Sequence, residues 1–216
     1  MSINRTYAVF GLGRYGIAVA RELCASGAEV IAVDIDEARV NIAAANIPLC
    51  KCADITDPEV IKQLGIANID VVVIAMAGNL EASVMAVTLC KEVGVGQVVA
   101  KCSSEMHQKI LERVGADMVV FPEQEGGVRL AKNLLSSGFV DMITLSEDFS
   151  MIELEVRREW IGKSLMELNL RKKYGINVVA LKKGSSLTVN IPPEEKLGEG
   201  SSLIVIANPT KIAKIK

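Results

Sequence analysis

The chain has 216 residues, half of them hydrophobic, and a formal net charge of −2 at pH 7. This length and apolar content suffice for one large domain or two small ones with packed cores. Only 4% of the residues are aromatic and the charges nearly balance, which argues against a nucleic-acid-binding protein. No apolar run approaches the ~20 residues that cross a bilayer, and nothing near Met1 resembles a signal peptide, so we expect a cytoplasmic protein.

The first predicted element is a strand that leads into a glycine-rich turn and a helix. Residues 8–10 are apolar, glycines follow at positions 11, 13 and 16, and apolar residues then recur at helical spacing. We expect Gly11 to adopt the turn conformation, Gly13 to let a phosphate approach the backbone, and Gly16 to let the helix pack on the strand. The amides of the first helical turn would then face the phosphate.

Two charged residues refine this prediction. The second predicted strand ends at Asp34, close to the ~20-residue spacing at which a carboxylate binds a ribose. The same carboxylate would repel a 2′-phosphate, which disfavours NADP. Arg14 follows the second glycine, where its guanidinium could reach the far end of a phosphate chain. The alternative is that Arg14 is an ordinary solvated residue.

Strands and helices alternate through the first two thirds of the chain, which indicates a Rossmann-like, doubly wound parallel sheet of the α/β class. The predicted strands are residues 7–10, 30–34, 49–52, 71–76, 98–101 and 118–121. Helix caps are expected at Asp57, Asn79, and Ser103 or Ser104. Helices are expected to end near Gly65, Gly94 and Gly115.

Ligands of such sheets bind beyond the carboxyl ends of the strands. Asp54 would there flank a base or offer its carboxylate to the base edge, and Lys101 would place an ammonium over the crevice. Asp54 and Asn79 could instead be caps only, and Lys101 a solvated strand end. The predicted nucleotide-binding residues are Gly11, Gly13, Arg14, Tyr15, Gly16, Asp34, Asp36, Asp54, Ala77, Gly78, Asn79 and Lys101.

A few other residues are candidates for metal binding, redox chemistry or catalysis. Glu123, after the sixth predicted strand, either stabilises a helix N-terminus or meets a cation or a neighbouring subunit's ligand. The five cysteines form no CxxC pair and are expected mainly in the core, although Cys50 and Cys52 alternate on a strand and leave a metal or redox role open. His107, the single histidine, is expected on the surface of a helix over residues 104–114. One histidine leaves little basis for acid–base or nucleophilic catalysis.

The sequence Ser-Ser-Gly at residues 136–138 predicts a linker. We therefore expect a nucleotide-binding domain at residues 1–136 and a small α+β domain at residues 137–216. In the second domain, residues 152–156, 177–182, 187–189 and 203–207 predict strands, and residues 164–173 predict a helix. This part lacks histidine, cysteine and clustered carboxylates, which favours a ligand-binding or dimerisation module.

Several motifs point to a known family: residues 10–16 (FGLGRYG), 33–34, 53–54, 78–79, 115–117 and 121–123, and in the second domain residues 161–165 and 174–180. In these motifs the chain resembles, over nearly its whole length, the RCK (regulator of potassium conductance) subunits of bacterial Trk/Ktr-type potassium uptake systems. It carries one such unit, like the shorter Ktr-type subunits.

The resemblance implies a non-enzymatic regulator at the inner face of the cell membrane. Homodimers would assemble into an octameric ring on a membrane-embedded potassium-translocating subunit. ATP or ADP, or in some members NAD or NADH, would occupy the nucleotide site, with Arg14 sensing the terminal phosphate and Asp34 holding the ribose. The resemblance further implies Mg²⁺ or another divalent cation near Glu123 and, in some members, cyclic di-AMP near Arg171 and Asn177.

Two other classes remain open. The chain could be an NAD(H)-binding, redox-responsive regulator or an NAD-dependent enzyme, which Asp34 permits although a catalytic set is lacking. It could also be an assembly module whose nucleotide is structural.

Overall fold

The computed structural model describes residues 5–135, 139–146 and 148–208. Two compact units divide the chain, Met1–Gln124 and Glu125–Lys216. The linker predicted at residues 136–138 lies outside the described residues, so the domain boundary expected there stays a prediction. Every helix in the described ranges is too short or too polar to cross a bilayer.

The first unit contains a six-stranded parallel sheet. Its strands are β1 (Thr6–Phe10), β2 (Glu29–Asp34), β3 (Leu49–Cys52), β4 (Val71–Ile74), β5 (Gln97–Lys101) and β6 (Met118–Val120). They lie in the order β3-β2-β1-β4-β5-β6. Strands β1 to β3 extend to one side of the sheet and β4 to β6 to the other, so the topological switch point lies between β1 and β4. The predicted Rossmann-like sheet is confirmed, and each strand end lies within two residues of its predicted position.

Helices cover both faces of this sheet. They are α1 (Arg14–Ala25), α2 (Glu37–Ala44), α3 (Pro58–Gln63), α4 (Leu80–Glu92) and α5 (Glu105–Arg113), while α6 (Pro122–Leu135) begins in this unit and continues into the second. Along β1, Ala8 and Phe10 pack with residues of α3, α4 and α5, whereas Val9 packs with residues of α1 and α2. Both faces are therefore apolar, which is typical of a parallel sheet.

The predicted helix ends are confirmed. The side chains of Asp57, Asn79 and Ser104 each accept a hydrogen bond from a backbone N–H of the first turn that follows. The chain adopts φ values of +67°, +86° and +105° at Gly65, Gly94 and Gly115, where only glycine avoids strain. These local signals position the loops at both ends of the strands.

The second unit is a small α+β fold, as predicted. Its antiparallel sheet has the order β10-β9-β11-β8-β7, with β7 (Phe139–Thr144), β8 (Ser150–Glu155), β9 (Asn177–Lys183), β10 (Ser186–Val189) and β11 (Ser201–Ala207). Strand β7 was not predicted. The single helix predicted over residues 164–173 was wrong, because Asn169 adopts φ +46° and separates α7 (Leu165–Leu168) from α8 (Leu170–Tyr174).

Candidate functional site

A cavity of about 970 Å³ lies at the carboxyl ends of the strands in the first unit. This volume suits a nucleotide, since small-molecule pockets span roughly 300–1,000 Å³. Ten of the predicted nucleotide-binding residues line it: Gly11, Gly13, Arg14, Tyr15, Asp34, Asp54, Ala77, Gly78, Asn79 and Lys101. Gly16 and Asp36 are not among the lining residues.

The glycine turn between β1 and α1 opens onto this cavity. Gly11 has φ +90°, and a Cβ built there would lie 3.2 Å from the backbone nitrogen of Met76. A Cβ built on Gly13 would meet no described atom within 4 Å, so a substituent there would enter open space. Gly13 is the N-cap residue of α1, and no side-chain hydrogen bond caps the helix there. Helix N-termini of this kind bind anions through their backbone amides and the helix dipole.

Gly16 has a packing role instead. A Cβ on this residue would overlap the carbonyl oxygen of Gly11 and lie 2.9 Å from the Cβ of Ala75. Helix α1 therefore approaches the sheet as closely as a glycine permits, which is the role that the spacing of the three glycines predicts.

Asp34 has a structural role that the sequence pattern did not indicate. Its side chain is only 5% exposed, and its Oδ2 accepts a hydrogen bond from the backbone N–H of Leu12 at 2.6 Å. Its Oδ1 accepts from the N–H of Asp36 at 2.9 Å. Charge-assisted bonds of this kind hold the glycine turn against the end of β2. Asp34 still lines the cavity, and its role toward a ribose stays a prediction.

Arg39 lines the same cavity and was missed by the sequence analysis. Its Nη1 lies 3.6 Å from Asp34 Oδ2, and its Nε lies 3.3 Å from Asp36 Oδ2. Asp36 in turn caps α2 through the N–H of Ala38. A sequence signal for Arg39 was available: it lies in the first turn of the helix that Asp36 caps, and helical side chains tilt toward the N-terminus of their helix, which here means toward the end of β2.

Asp54 is held by a neighbour that sequence reasoning also missed. Its Oδ1 accepts from both the backbone N–H and the hydroxyl of Thr56, at 2.9 and 2.7 Å. These hydrogen bonds lower the pKa of the Asp54 carboxyl. Both residues line the cavity beyond β3, so a fixed, ionised carboxylate faces the space near Asp34 and Arg39.

Residues 77–79 form the cavity wall after β4. The Oδ1 of Asn79 accepts from the N–H of Ala82 at 3.1 Å and so caps α4. Asn79 is therefore both a cap and a lining residue, and the two roles considered for it from the sequence are compatible.

Lys101 and Glu123 form an ion pair in the lining of the cavity, which Arg14 also lines. The Lys101 ammonium is 2.6 Å from Glu123 Oε1 and 5.6 Å from the ring centroid of Tyr15. Hydrogen bonding from Lys101, together with the charges of Lys101 and Arg14, lowers the pKa of the Glu123 carboxyl. Arg14 itself forms no ion pair with any residue in the described part of the chain.

The metal role expected for Glu123 stays a prediction. In the described ranges, no three His, Cys, Asp or Glu residues lie close enough together to hold a metal ion. The metal or redox role left open for Cys50 and Cys52 stays untested as well; their thiols lie 3.4 Å from the carbonyl oxygens of Ile47 and Ile35.

The prediction that His107 lies on the surface was wrong, since the residue is only 4% exposed. Its Nε2 is 2.8 Å from the hydroxyl of Ser83 on α4, and its Nδ1 is 3.3 Å from the hydroxyl of Ser103. The Ser83 hydroxyl also lies 2.9 Å from the carbonyl oxygen of Leu80, the residue that begins α4. Burial lowers the pKa of His107. The residue thereby ties the start of α4 to the turn after Lys101.

In the second unit, Arg171 lies in α8 and Asn177 begins β9, and both are exposed. Their expected role toward cyclic di-AMP stays a prediction.

Comparison with known proteins places these features in context. The TrkA-N domain family matches residues 7–122 and the TrkA-C domain family matches residues 151–216. The chain is 36% identical over 214 residues to the Ktr system potassium uptake protein C of Bacillus subtilis (strain 168), covering 99% of this chain and 97% of that protein. It is 34% identical to the Ktr system potassium uptake protein A of Vibrio alginolyticus, covering 95% and 93% of the two chains.

Solved structures show the same fold. The GsuK channel bound to NAD matches with a TM-score of 0.57 and 23% identity, covering 97% of this chain and 37% of that chain. The GsuK RCK domain matches with a TM-score of 0.53 and 22% identity, covering 99% and 46%. The present chain thus spans less than half of these GsuK chains, and the likeness concerns the fold alone.

Proposed function

The chain belongs to the family of Ktr-type potassium uptake proteins with TrkA-N and TrkA-C domains, and we propose from this that it is a nucleotide-binding regulatory subunit of a membrane potassium transporter. The family resemblance drawn from the motifs is thereby confirmed. The observation that carries the proposal is the uncapped start of α1, with open space at Gly13, in a cavity that Asp34 and Arg14 also line.

The geometry supports one orientation of the nucleotide. The phosphates would lie against Gly13 and the first turn of α1, where uncapped amides and the helix dipole favour an anion. The ribose would lie near Asp34 and the base near Asp54, at the carboxyl ends of β2 and β3. The terminal phosphate would then be directed toward Arg14.

Arg14 is the proposed sensor of the terminal phosphate. Arg39 pairs with Asp34 and Asp36, and Lys101 pairs with Glu123, so these two cations are already partly neutralised. Arg14 is the cavity-lining cation best placed to gain from an added phosphate. A triphosphate would make this contact and a diphosphate would not, so the two ligands would favour different conformations. Coupling of about 1–3 kcal/mol per site would suffice when several sites of a ring act together.

The remaining parts of the proposal follow from the family. Homodimers would assemble into an octameric ring at the cytoplasmic face of a membrane-embedded potassium-translocating subunit and regulate it without catalysing a reaction. Mg²⁺ or another divalent cation near Glu123, and cyclic di-AMP near Arg171 and Asn177, are proposed as further ligands.

A second candidate is an NAD(H)-responsive regulator. The observation that favours it is the placement of Asp34 in a cavity of about 970 Å³, which is spacious enough for a dinucleotide and has a carboxylate suited to an unphosphorylated ribose.

Calorimetric titration with ATP, ADP and NADH tests both candidates. We expect Arg14→Ala to weaken ATP binding about 10-fold or more relative to ADP, because a charge-assisted hydrogen bond contributes about 1.5–3 kcal/mol. Arg21→Ala is the matched control, since Arg21 is an exposed arginine of the same helix that does not line the cavity. Equal losses for ATP and ADP would contradict the sensing role, and binding of NADH alone would favour the second candidate.

A further inference from the structure

The ion pair between Lys101 and Glu123 joins two side chains that differ in burial. Lys101 ends the interior strand β5, its side chain is 15% exposed, and its ammonium lies over the Tyr15 ring. Glu123 lies in the first turn of α6, and its side chain is 63% exposed. The cation is therefore held by its surroundings, whereas the carboxylate can leave without breaking core packing.

Both residues line the cavity in which the phosphates of a nucleotide are proposed to bind. The Glu123 carboxylate sits on Lys101 and within electrostatic reach of Arg14, so it carries negative charge where a phosphate chain would arrive. Two anions in one partly enclosed cavity repel each other more strongly than in bulk water. A phosphate also offers Lys101 the same kind of charge-assisted hydrogen bond that the carboxylate does.

We propose that Glu123 is an internal substitute for a phosphate group, which a bound nucleotide displaces from Lys101. This inference rests on the proposed function, because it requires a phosphate-bearing ligand in the cavity. Exchange of one anion for another on Lys101 leaves the lysine paired in both states, so neither state contains an uncompensated, largely buried ammonium.

Through this exchange, nucleotide binding in the first unit would affect the second unit. Helix α6 starts at Pro122, crosses the division between the units after Gln124, and continues to Leu135. Loss of the Lys101 contact releases the first turn of this helix from the end of β5. The site thereby acquires a two-state element whose equilibrium the ligand shifts through its own contact with Lys101.

A Glu123 that competes with phosphate and a Glu123 that binds a metal ion predict opposite effects of its neutralisation on nucleotide affinity. A Glu123 that competes with phosphate weakens binding, so its neutralisation should strengthen binding in the absence of metal. A Glu123 that binds a divalent cation together with phosphate strengthens binding, so its neutralisation should weaken binding when metal is present. Titrations with and without metal therefore separate the two roles.

The test is calorimetric titration of the full chain with ATP in EDTA, and again with Mg²⁺. We expect Glu123→Gln to bind ATP about 3–10-fold more tightly than the wild type in EDTA. Glu81→Gln is the matched control, because it removes an exposed carboxylate from the first turn of α4 that does not line the cavity, and its affinity should stay within twofold.

A double-mutant cycle with Lys101→Met shows whether Glu123 acts through Lys101. Lys101→Met alone should weaken ATP binding, and adding Glu123→Gln to it should have no more effect than Glu81→Gln. An unchanged or weaker affinity of Glu123→Gln in EDTA, or the same gain in the Lys101→Met background, would overturn the inference. Absence of ATP binding by the wild type would overturn the proposed function and this inference together, whereas wild-type binding with no gain in Glu123→Gln would overturn the inference alone.

Hydrogen–deuterium exchange measures the effect on α6. ATP in EDTA should speed exchange of the amides of residues 126–130 in the wild type, and these amides should already exchange fast in Glu123→Gln without ATP. Unchanged exchange in both proteins would refute the transmission to α6.

Discussion

The glycine turn offers a pair of substitutions that separate stability from binding. Gly13→Ala and Gly16→Ala each add one methyl group, three residues apart, at the start of α1. The methyl group on Gly13 enters open space in the cavity, whereas that on Gly16 overlaps the carbonyl oxygen of Gly11. The first change should impair ligand binding with little effect on folding, and the second should impair folding.

The expected magnitudes follow from the local geometry. Gly13 has φ −67° and ψ −175°, which alanine adopts without strain, so its free energy of unfolding should change by less than about 1 kcal/mol. Gly16→Ala must move α1 away from Gly11 and Ala75, and overpacking of this kind costs about 1–3 kcal/mol or more. A methyl group at Gly13 would also keep a phosphate from the backbone amides, and ATP affinity should fall at least about 10-fold.

Urea unfolding followed by circular dichroism gives the stability of each variant, and calorimetry gives its affinity for ATP. If Gly13→Ala bound ATP as tightly as the wild type, the phosphates would not lie against this residue and the proposed orientation would be wrong. If Gly16→Ala were as stable as the wild type, the close approach of α1 to β1 would not require a glycine.

Three further predictions concern single side chains. Burial lowers the pKa of His107, so as the pH falls through about 6.5 the unfolded chain takes up a proton before the folded chain does. The free energy of unfolding should therefore decrease from about pH 7.5 to about pH 5.5, and this decrease should be smaller in His107→Gln. Asp117 accepts a hydrogen bond from the N–H of Val98 at 2.6 Å and pairs with Lys91 at 3.0 Å, so Asp117→Ala should lower the free energy of unfolding, measured in urea, by about 1–2 kcal/mol. If Asp117→Ala lost no more stability than Lys91→Ala, the role of the backbone contact would be contradicted. Thr56→Val removes the hydroxyl that lowers the pKa of Asp54, so carbon-detected NMR titration should find that pKa raised, and an unchanged value would refute the assigned cause.

Much of the first unit follows from short-range sequence signals. The period of the apolar residues, the spacing of the glycines, and the capping residues before α3, α4 and α5 depend on neighbours within one or two helical turns, so these elements could be predicted without tertiary information. The second unit was harder, because β7 is an edge strand defined by its pairing with β8. Asn169, which divides α7 from α8 through a positive φ value, carries only a weak sequence signal.

The contacts that organise the cavity were decided by the tertiary structure. Asp34 bonds to Leu12, Lys101 pairs with Glu123, and His107 meets Ser83, in each case across more than 20 residues of sequence. The amino-acid sequence alone identified most residues at the carboxyl ends of the strands, because strand ends follow from local patterns. It did not determine which of those residues pair, because pairing depends on the order of strands in the sheet and on helix packing, which bring distant strand ends to within hydrogen-bond distance.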